Sequence, residues 1–336
     1  MTIFLTGAAG FVGSHVAHRL LDAGRRVVAV DNFTPYYDVN LKESRWARLE
    51  KREGFFGFRL DLADKAALLA LCDKTEPRKI VHLAAQPGVR YGIDNPQAYV
   101  DSNLTGFMNV LEAARALAVE HLVFASTSSV YGANRTLPFA EHHSAAHPLS
   151  LYAATKRSNE LLAHSYAHIF KIPVTGLRFF TVYGPWGRPD MAPQKFTARI
   201  FAGDPIEVYN NGKMTRDFTF VDDIVEGVLR VIDHVPVPDE GWDATTPTPD
   251  GSGVAPFRIF NIGRGAPVDL MDFIALLEKH IGKQAVRNFM PMQAGDVEGT
   301  WCDVTALHRA VGYQPKVSLE EGLAKTVAWF REYYKI

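Results

Sequence analysis

The sequence predicts an α/β protein in which a Rossmann-type, doubly wound parallel sheet is followed by a smaller mixed α/β region. Two observations carry that expectation: short apolar runs alternate with helical patterns through the first half of the chain, and a glycine-rich turn separates the first run from the first helix. Such βαβ alternation implies a parallel sheet covered by helices. The first unit reads TIFLT, FVGSHVAHRLLDAG, RVVAVD. Its helix sets Val12, Val16, Leu20 and Leu21 near helical spacing and stops at Gly24. FGFRLD, KIVHLAA and HLVFAS follow as further strands.

Two longer helices are expected from about residue 102 (SNLTGFMNVLEAARALAV) and about residue 152 (YAATKRSNELLAHSYAHIF). Both carry apolar residues on more than one face, which suits packing on the sheet and on a second copy, so a homodimer is expected. PVTGLRFFTVYG reads as one strand, GPWGRPDMAP as a loop and FRIFNIGRG as a strand and turn. Residues 1–180, with segments at 216–233 and 257–263, are expected to form the cofactor domain. Residues 181–215 and 264–336 form the substrate-binding region. The stretch 235–256 is rich in Pro, Gly, Asp and Thr, as an exposed insertion loop would be.

Composition narrows the function. The 336 residues are 47% hydrophobic and 22% charged, and 36 basic against 37 acidic side chains leave a net charge of -1. That balance gives no support to a nucleic-acid or membrane-surface partner. MTIFLTGAAGFVG has no basic segment before its apolar stretch, and no apolar run reaches membrane-spanning length. Cys72 and Cys302 lie far apart without CxxC spacing, so a reducing cytoplasm is expected and Cys302 reads as a packing residue. His142, His143 and His147 share a loop without Cys or Asp partners, and no metal site is expected.

Three motifs carry chemistry. TGAAGFVG places Gly7, Gly10 and Gly13 between a strand and a helix, where glycine permits a tight turn and close approach to a pyrophosphate. Asp31 ends the second strand; its carboxylate accepts from a ribose 2′-hydroxyl and repels a 2′-phosphate, which favours NAD over NADP. In YAATK, Tyr152 and Lys156 stand four apart on one helix face, where a cation favours the phenolate form of the tyrosine and so a base. ASTSSVYG follows a strand and supplies Thr127, Ser128 and Ser129 at its carboxyl end, where ligands of such sheets bind.

TGAAGFVG, Asp31, the DL at Asp61 and Leu62, HLAAQ, Asn103, STSSVYG, YAATK, LRFFTVYGP and RDFTFVDD stand in the order found in extended short-chain dehydrogenase/reductases. The chain resembles that superfamily over essentially its whole length, and within it most resembles the UDP-glucuronate 4-epimerases. The resemblance implies a catalytic triad of Thr127, Tyr152 and Lys156. It implies an NAD site lined by Gly7, Gly10, Phe11, Val12, Asp31, Asn32, Asp61, Leu62, Leu83, Ala84, Ala85 and Asn103, with Tyr152 and Lys156 again. For a UDP-sugar it implies Arg216 and Asp296 at the pyrophosphate and ribose, Phe196, Val208 and Tyr209 around the uridine, and Arg90 on the substrate side. Thr181 and Arg188 resemble the glucuronate branch, where with Ser128 and Ser129 they would face the sugar carboxylate. Galactose epimerases usually carry Asn at the Thr181 position. Related decarboxylases and 4,6-dehydratases carry an acid near Ser128 and Ser129, and this chain does not. The rival readings are a 4-epimerase of neutral or N-acetylated UDP-hexoses, a UDP-glucuronate decarboxylase, and an idle NAD-binding scaffold or sensor.

Overall fold

The computed structural model describes residues 1–293 and 297–336. Its first unit is the expected one: β1 (Thr2–Thr6), α1 (Phe11–Asp22) and β2 (Arg26–Asp31), followed by α2 (Val39–Glu50), β3 (Phe55–Arg59), α3 (Lys65–Thr75) and β4 (Lys79–His82). Two single turns, α4 (Tyr91–Asp94) and α5 (Pro96–Tyr99), lead into α6 (Gly106–Ala116), then β5 (His121–Thr127), α7 (Leu151–Phe170) and β6 (Val174–Phe179). Shorter pieces follow: β7 (Thr181–Tyr183), α8 (Ala192–Ala202), β8 (Ile206–Val208), β9 (Thr215–Phe220), α9 (Val221–Asp233), β10 (Phe257–Ile262) and β11 (Pro267–Asp269). The last are α10 (Leu270–Ile281), β12 (Arg287–Phe289), α11 (Thr305–Val311) and α12 (Leu319–Tyr334).

Seven strands form one parallel sheet in the order β10-β6-β5-β4-β1-β2-β3. The order reverses between β1 and β4, and ligands of such sheets bind in the crevice outside the carboxyl ends of those strands. Because side chains alternate along a strand, Ile3 and Leu5 join a core with α1 and α9, while Phe4 packs into a second core with Ile80 and Phe107 on the opposite face. The doubly wound sheet expected from the sequence is therefore present. Two small sheets, β11-β9-β7 and β12-β8, stand beside it.

Two expectations shift. The helix expected from about residue 102 begins instead as a π-helical turn at Val100–Thr105. There the Asn103 side chain accepts from Gln86 N (2.8 Å) and donates to Gln86 O and Thr155 Oγ1 (both 3.1 Å). A π turn re-aims one side chain at the expense of the regular ladder, and it recurs at functional sites. The single strand read from PVTGLRFFTVYG breaks at Phe180, whose N–H donates to Ile262 O (3.2 Å). Thr181 consequently pairs with β9 outside the main sheet. The insertion at 235–256 is tied back at its base by an Asp239–Arg258 ion pair of 2.7 Å.

Glu141 is 4% exposed, and its Oε1 accepts from Asn261 N (2.8 Å). Burial pushes its carboxyl up to about 7; the Asn261 N–H opposes this, and Asp303 and Asp250 add to the rise. A folded-state pKa above the unfolded value of about 4.3 means that the native chain binds the extra proton, so stability falls as pH rises from there through 7. Glu141→Gln keeps the acceptor and removes the titration. Denaturant melts at pH 6 and pH 8 should show the variant losing less stability over that interval than wild type, by about 1 kcal/mol.

Candidate active site

A single cavity of about 720 Å³ runs from the glycine turn along the sheet's carboxyl edge to β7 and α8, a size suited to a small-molecule ligand. At one end Gly7 holds φ at +77°, and a Cβ there would lie 2.7 Å from Ala84 N, so only glycine lets the β1 turn meet the β4 turn this closely. Among the described residues the α1 N-terminus takes no side-chain cap, which leaves its backbone N–H groups facing the cavity. Asp31 sits beside this turn. Its Oδ2 accepts from Ala9 N and its Oδ1 from Phe33 N (both 2.9 Å), and each oxygen keeps a lone pair for a ribose hydroxyl. Burial raises the Asp31 carboxyl, while those N–H groups and Lys42 draw it back. Asn32 donates to Asp61 Oδ2 (3.0 Å), fixing the strand ends that flank the adenosine side of such a site. The uncapped helix end, the glycine cradle and the free carboxylate lone pairs fit a dinucleotide.

The cavity continues over the end of β5. Thr127 Oγ1 accepts from Ser129 N (3.2 Å) and so caps the 3-10 turn Ser128–Tyr131, which sets both serines on the wall. Ser150 caps α7 by accepting from Ala153 N (3.1 Å), and the first turns of that helix present Tyr152 and Lys156. Lys156 is 1% exposed and donates to Ala125 O (2.8 Å). Burial pushes its ammonium down to about 8, against an upward pull from Glu160. Burial also raises the Tyr152 phenol; the Arg188 charge and a hydrogen bond with Thr127 pull it back. The sequence pointed to Lys156 as the cation favouring the phenolate; in the structure the cation that acts on the phenol is Arg188, while the Lys156 ammonium is turned to Ala125 O.

Arg188 reaches the cavity on a loop that is rigidly held. Trp186 adopts φ +61° and packs on Trp329 and Tyr333. The fully buried Arg45 donates to the carbonyls of Trp186 (Nη2 at 2.6 Å) and Gly187 (3.2 Å) and to Ala9 O (3.1 Å), tying this loop to the glycine turn. Arg188 itself makes a two-point ion pair with Asp190, Nε to Oδ1 at 3.1 Å and Nη2 to Oδ2 at 2.5 Å. Asp190 holds the guanidinium charged against the penalty of burial.

Of the residues singled out from the sequence, the cavity wall gathers Gly7, Gly10, Phe11, Val12, Asp31, Asn32, Asp61, Leu62, Leu83, Ala84 and Ala85. It also gathers Arg90, Thr127, Ser128, Ser129, Tyr152, Lys156, Thr181, Arg188, Phe196, Tyr209 and Arg216. Arg90 lies over the Tyr209 ring (5.4 Å), and Arg216 donates to Thr215 O and Glu298 O. Two are not brought to the wall. Asn103 is 1% exposed with its amide spent on Gln86 and Thr155, so it shapes the Leu83–Gln86 turn from behind. Val208 is fully buried in the core. Asp296 lies outside the described residues. Tyr36, Lys42, Gln86 and Asp190 line the cavity and were missed by sequence reasoning. The signal for Asp190 was its place two residues after Arg188 in GPWGRPDMA; Lys42 lies on the buried face of α2 with Leu41, Arg45, Trp46 and Leu49, and Tyr36 in the loop before that helix.

A Rossmann sheet whose phosphate-binding turn opens into the same cavity as a Thr–Tyr–Lys set defines an enzyme of the dinucleotide-dependent class. The chain belongs to the NAD dependent epimerase/dehydratase family, whose model matches residues 3–243. It is 52% identical over 336 residues to a probable UDP-glucuronate 4-epimerase of Rhizobium meliloti (strain 1021), covering all of this chain and 98% of that one. Among solved structures it is similar to the UDP-glucuronic acid 4-epimerase of Bacillus cereus in complex with UDP-glucuronic acid and NAD, with a TM-score of 0.88 at 33% identity over 99% and 100% of the two chains. The UDP-glucose 4-epimerase of Thermotoga maritima with UDP-glucose gives a TM-score of 0.86 at 29% identity over 99% and 100%. The family resemblance read from the motifs is borne out.

Proposed function

We propose that this chain is an NAD-dependent 4-epimerase interconverting UDP-glucuronic acid and UDP-galacturonic acid through a 4-keto sugar. The observation that carries the reading is one cavity wall on which Tyr152 and Thr127 stand beside Ser128, Ser129, Thr181 and Arg188, a proton-abstracting pair next to groups able to grip a carboxylate. The relatives named for UDP-glucuronate support it.

The glycine turn, Asp31, Asn32, Asp61, Leu62, Leu83, Ala84 and Ala85 would hold NAD, which when bound accepts a hydride from the sugar C4 and returns it. Tyr152 as phenolate takes the proton of the 4-hydroxyl, and Thr127 steadies the phenolate oxygen by donating to it. Lys156 anchors the α7 turn to Ala125 O, and the Arg188 charge favours the phenolate. Phe196, Tyr209, Arg90 and Arg216 receive the nucleotide, which stays fixed while the 4-keto sugar turns to present its other face. A 4-ketone stands β to the C6 carboxylate, and such acids lose carbon dioxide when the breaking bond aligns with the carbonyl π system. Ser128, Ser129, Thr181 and Arg188 keep the carboxylate out of that alignment through directional hydrogen bonds. Ser128 and Ser129 also stand where related decarboxylases and 4,6-dehydratases carry an acid, which disfavours chemistry at C5.

Incubation of the purified protein with UDP-glucuronic acid, without added reductant and followed by NMR, is expected to yield UDP-galacturonic acid and no UDP-pentose. Pentose would make the chain a decarboxylase, and inertness toward uronates with turnover of UDP-glucose would make it a neutral-sugar epimerase. The same reading assigns residues 1–180, 216–233 and 257–263 to the cofactor domain and residues 181–215 and 264–336 to the substrate-binding region, with 235–256 as an insertion loop. It also places the enzyme in the cytoplasm as a homodimer joined through α6 and α7. The free, separate Cys72 and Cys302 and the exposed Leu161 of α7 support those last assignments.

A further inference from the structure

We propose that Asp190 is a positioning residue that sets substrate hold: a built-in carboxylate that occupies one edge of Arg188 and tempers its pull on the sugar carboxylate, so that the sugar can let go and turn. The inference rests on the uronate reading given above and asks how such a substrate escapes its own anchor.

A guanidinium has five N–H donors in a planar fork. Asp190 takes Nε and one N–H of Nη2, and the Tyr36 hydroxyl donates to the same Asp190 Oδ2 (3.1 Å). The pair is thereby fixed from two segments 154 residues apart in sequence, and Tyr36, Arg188 and Asp190 all line the cavity. The edge formed by Nη1 and the rest of Nη2 is the one left for a substrate carboxylate. Because Arg188 and Asp190 together carry no net charge, a uronate meets aligned donors there without an uncompensated cation.

This distinction matters because the reaction needs two sugar orientations. The carboxylate must break its contacts, swing with the ring and remake contacts in the second pose. An unpaired arginine would bind the carboxylate more tightly in each resting pose than in the rotation between them. Binding that favours the ground state lowers KM and slows turnover. Asp190 keeps the grip selective by geometry and weak enough to exchange.

The test is Asp190→Asn, which keeps shape and removes the charge, with Asp190→Glu as the variant that restores it. In wild type and both variants, KM and kcat are read for UDP-glucuronate and the Kd of UDP-glucose by calorimetry. In a Tyr152→Phe background, where turnover does not intrude, the Kd of UDP-glucuronate is read with and without Asp190→Asn. For Asp190→Asn we expect KM and Kd for the uronate to fall about fivefold and kcat to fall by a similar factor, the scale of one strengthened charge-assisted hydrogen bond. The UDP-glucose Kd is unchanged, and Asp190→Glu stays near wild type. NAD content and melting temperature equal to wild type establish that each variant is folded. A KM that rises or stays constant, or an unchanged uronate Kd, overturns the role while leaving the uronate reading intact. A wild-type chain inert toward UDP-glucuronate overturns both.

Discussion

Replacing Tyr152 by phenylalanine should slow conversion of UDP-glucuronate by about 1,000-fold and leave the cofactor bound, because the change deletes the one hydroxyl proposed above as the general base. The ring keeps its place: it meets Tyr99 edge-on at 6.3 Å, and the helix that carries it is capped independently by Ser150. Lys156 also keeps its bond to Ala125 O, so the substitution separates loss of the base from loss of the scaffold. Burial lifts the phenol above its ordinary range, and Arg188 and Thr127 only partly offset it. kcat/KM should therefore rise with pH through the neutral range and beyond it in wild type, because a phenol held above its ordinary range is only fractionally ionised there, and the residual rate of the variant should lack that rise. Product NMR over a pH series, with NAD quantified after denaturation, checks both. Turnover retained by the phenylalanine variant would remove Tyr152 from the role.

The parts of the site that were legible in the sequence are those written locally. The glycine turn, Asp31 at the end of β2 and the Tyr152–Lys156 spacing each depend on a strand-to-helix junction or one helical face, and the structure brings them to a common cavity. What stayed hidden depends on contacts between distant segments. Nothing near Asn103 says that its amide will be consumed by Gln86 and Thr155, which takes it behind the wall. Nothing near Arg188 says that the remote Tyr36 will hydrogen-bond to Asp190, its ion-pair partner. The break at Phe180 was hidden for the same reason: LRFFTV carries strand-forming residues on both sides of the break, and whether a strand continues in one sheet or crosses to another is decided by the partner that takes its backbone, here Ile262. In the fold, the alternating first half was readable because each βαβ unit repeats one pattern. The short strands β7, β8, β11 and β12, of three residues each, are too brief to show a period.

Arg178→Met should destabilise the fold by about 3–5 kcal/mol. Arg178 and Glu160 are both essentially inaccessible, and they pair through two bonds of 2.9 Å, Nε to Oε1 and Nη2 to Oε2. Ser126 Oγ and Arg157 Nη1 each donate to the same carboxylate at 2.6 Å, and Arg178 Nη1 reaches Glu141 O. Methionine fills most of the volume and supplies no donor, so Glu160 is left charged in the core with Arg157 as its remaining cation. Burial raises the Glu160 carboxyl, yet Arg178 overrides it and holds the group below its ordinary range in the wild-type fold. A depressed folded pKa stabilises above the unfolded value and is lost as pH falls, so the penalty of removing Arg178 is full at pH 8 and shrinks toward pH 5, where the stranded carboxyl can take a proton. Adding Glu160→Leu should recover much of the loss at pH 8, since an apolar pair of similar volume replaces a buried ion pair at little net expense. Chemical denaturation of the single and double variants at both pH values measures this, and a single-variant loss under about 1 kcal/mol at pH 8 would show that the pair does not anchor the fold. The functional consequence follows from position: Glu160 lies one helical turn beyond Lys156 on α7, while Ser126 and Arg178 belong to the strands that end at the cavity. The ion pair therefore ties the helix that carries Tyr152 to β6, while the Ser126 hydrogen bond to the same carboxylate ties it to β5, the strand that carries Thr127, and weakening this cluster should lower kcat as well as stability.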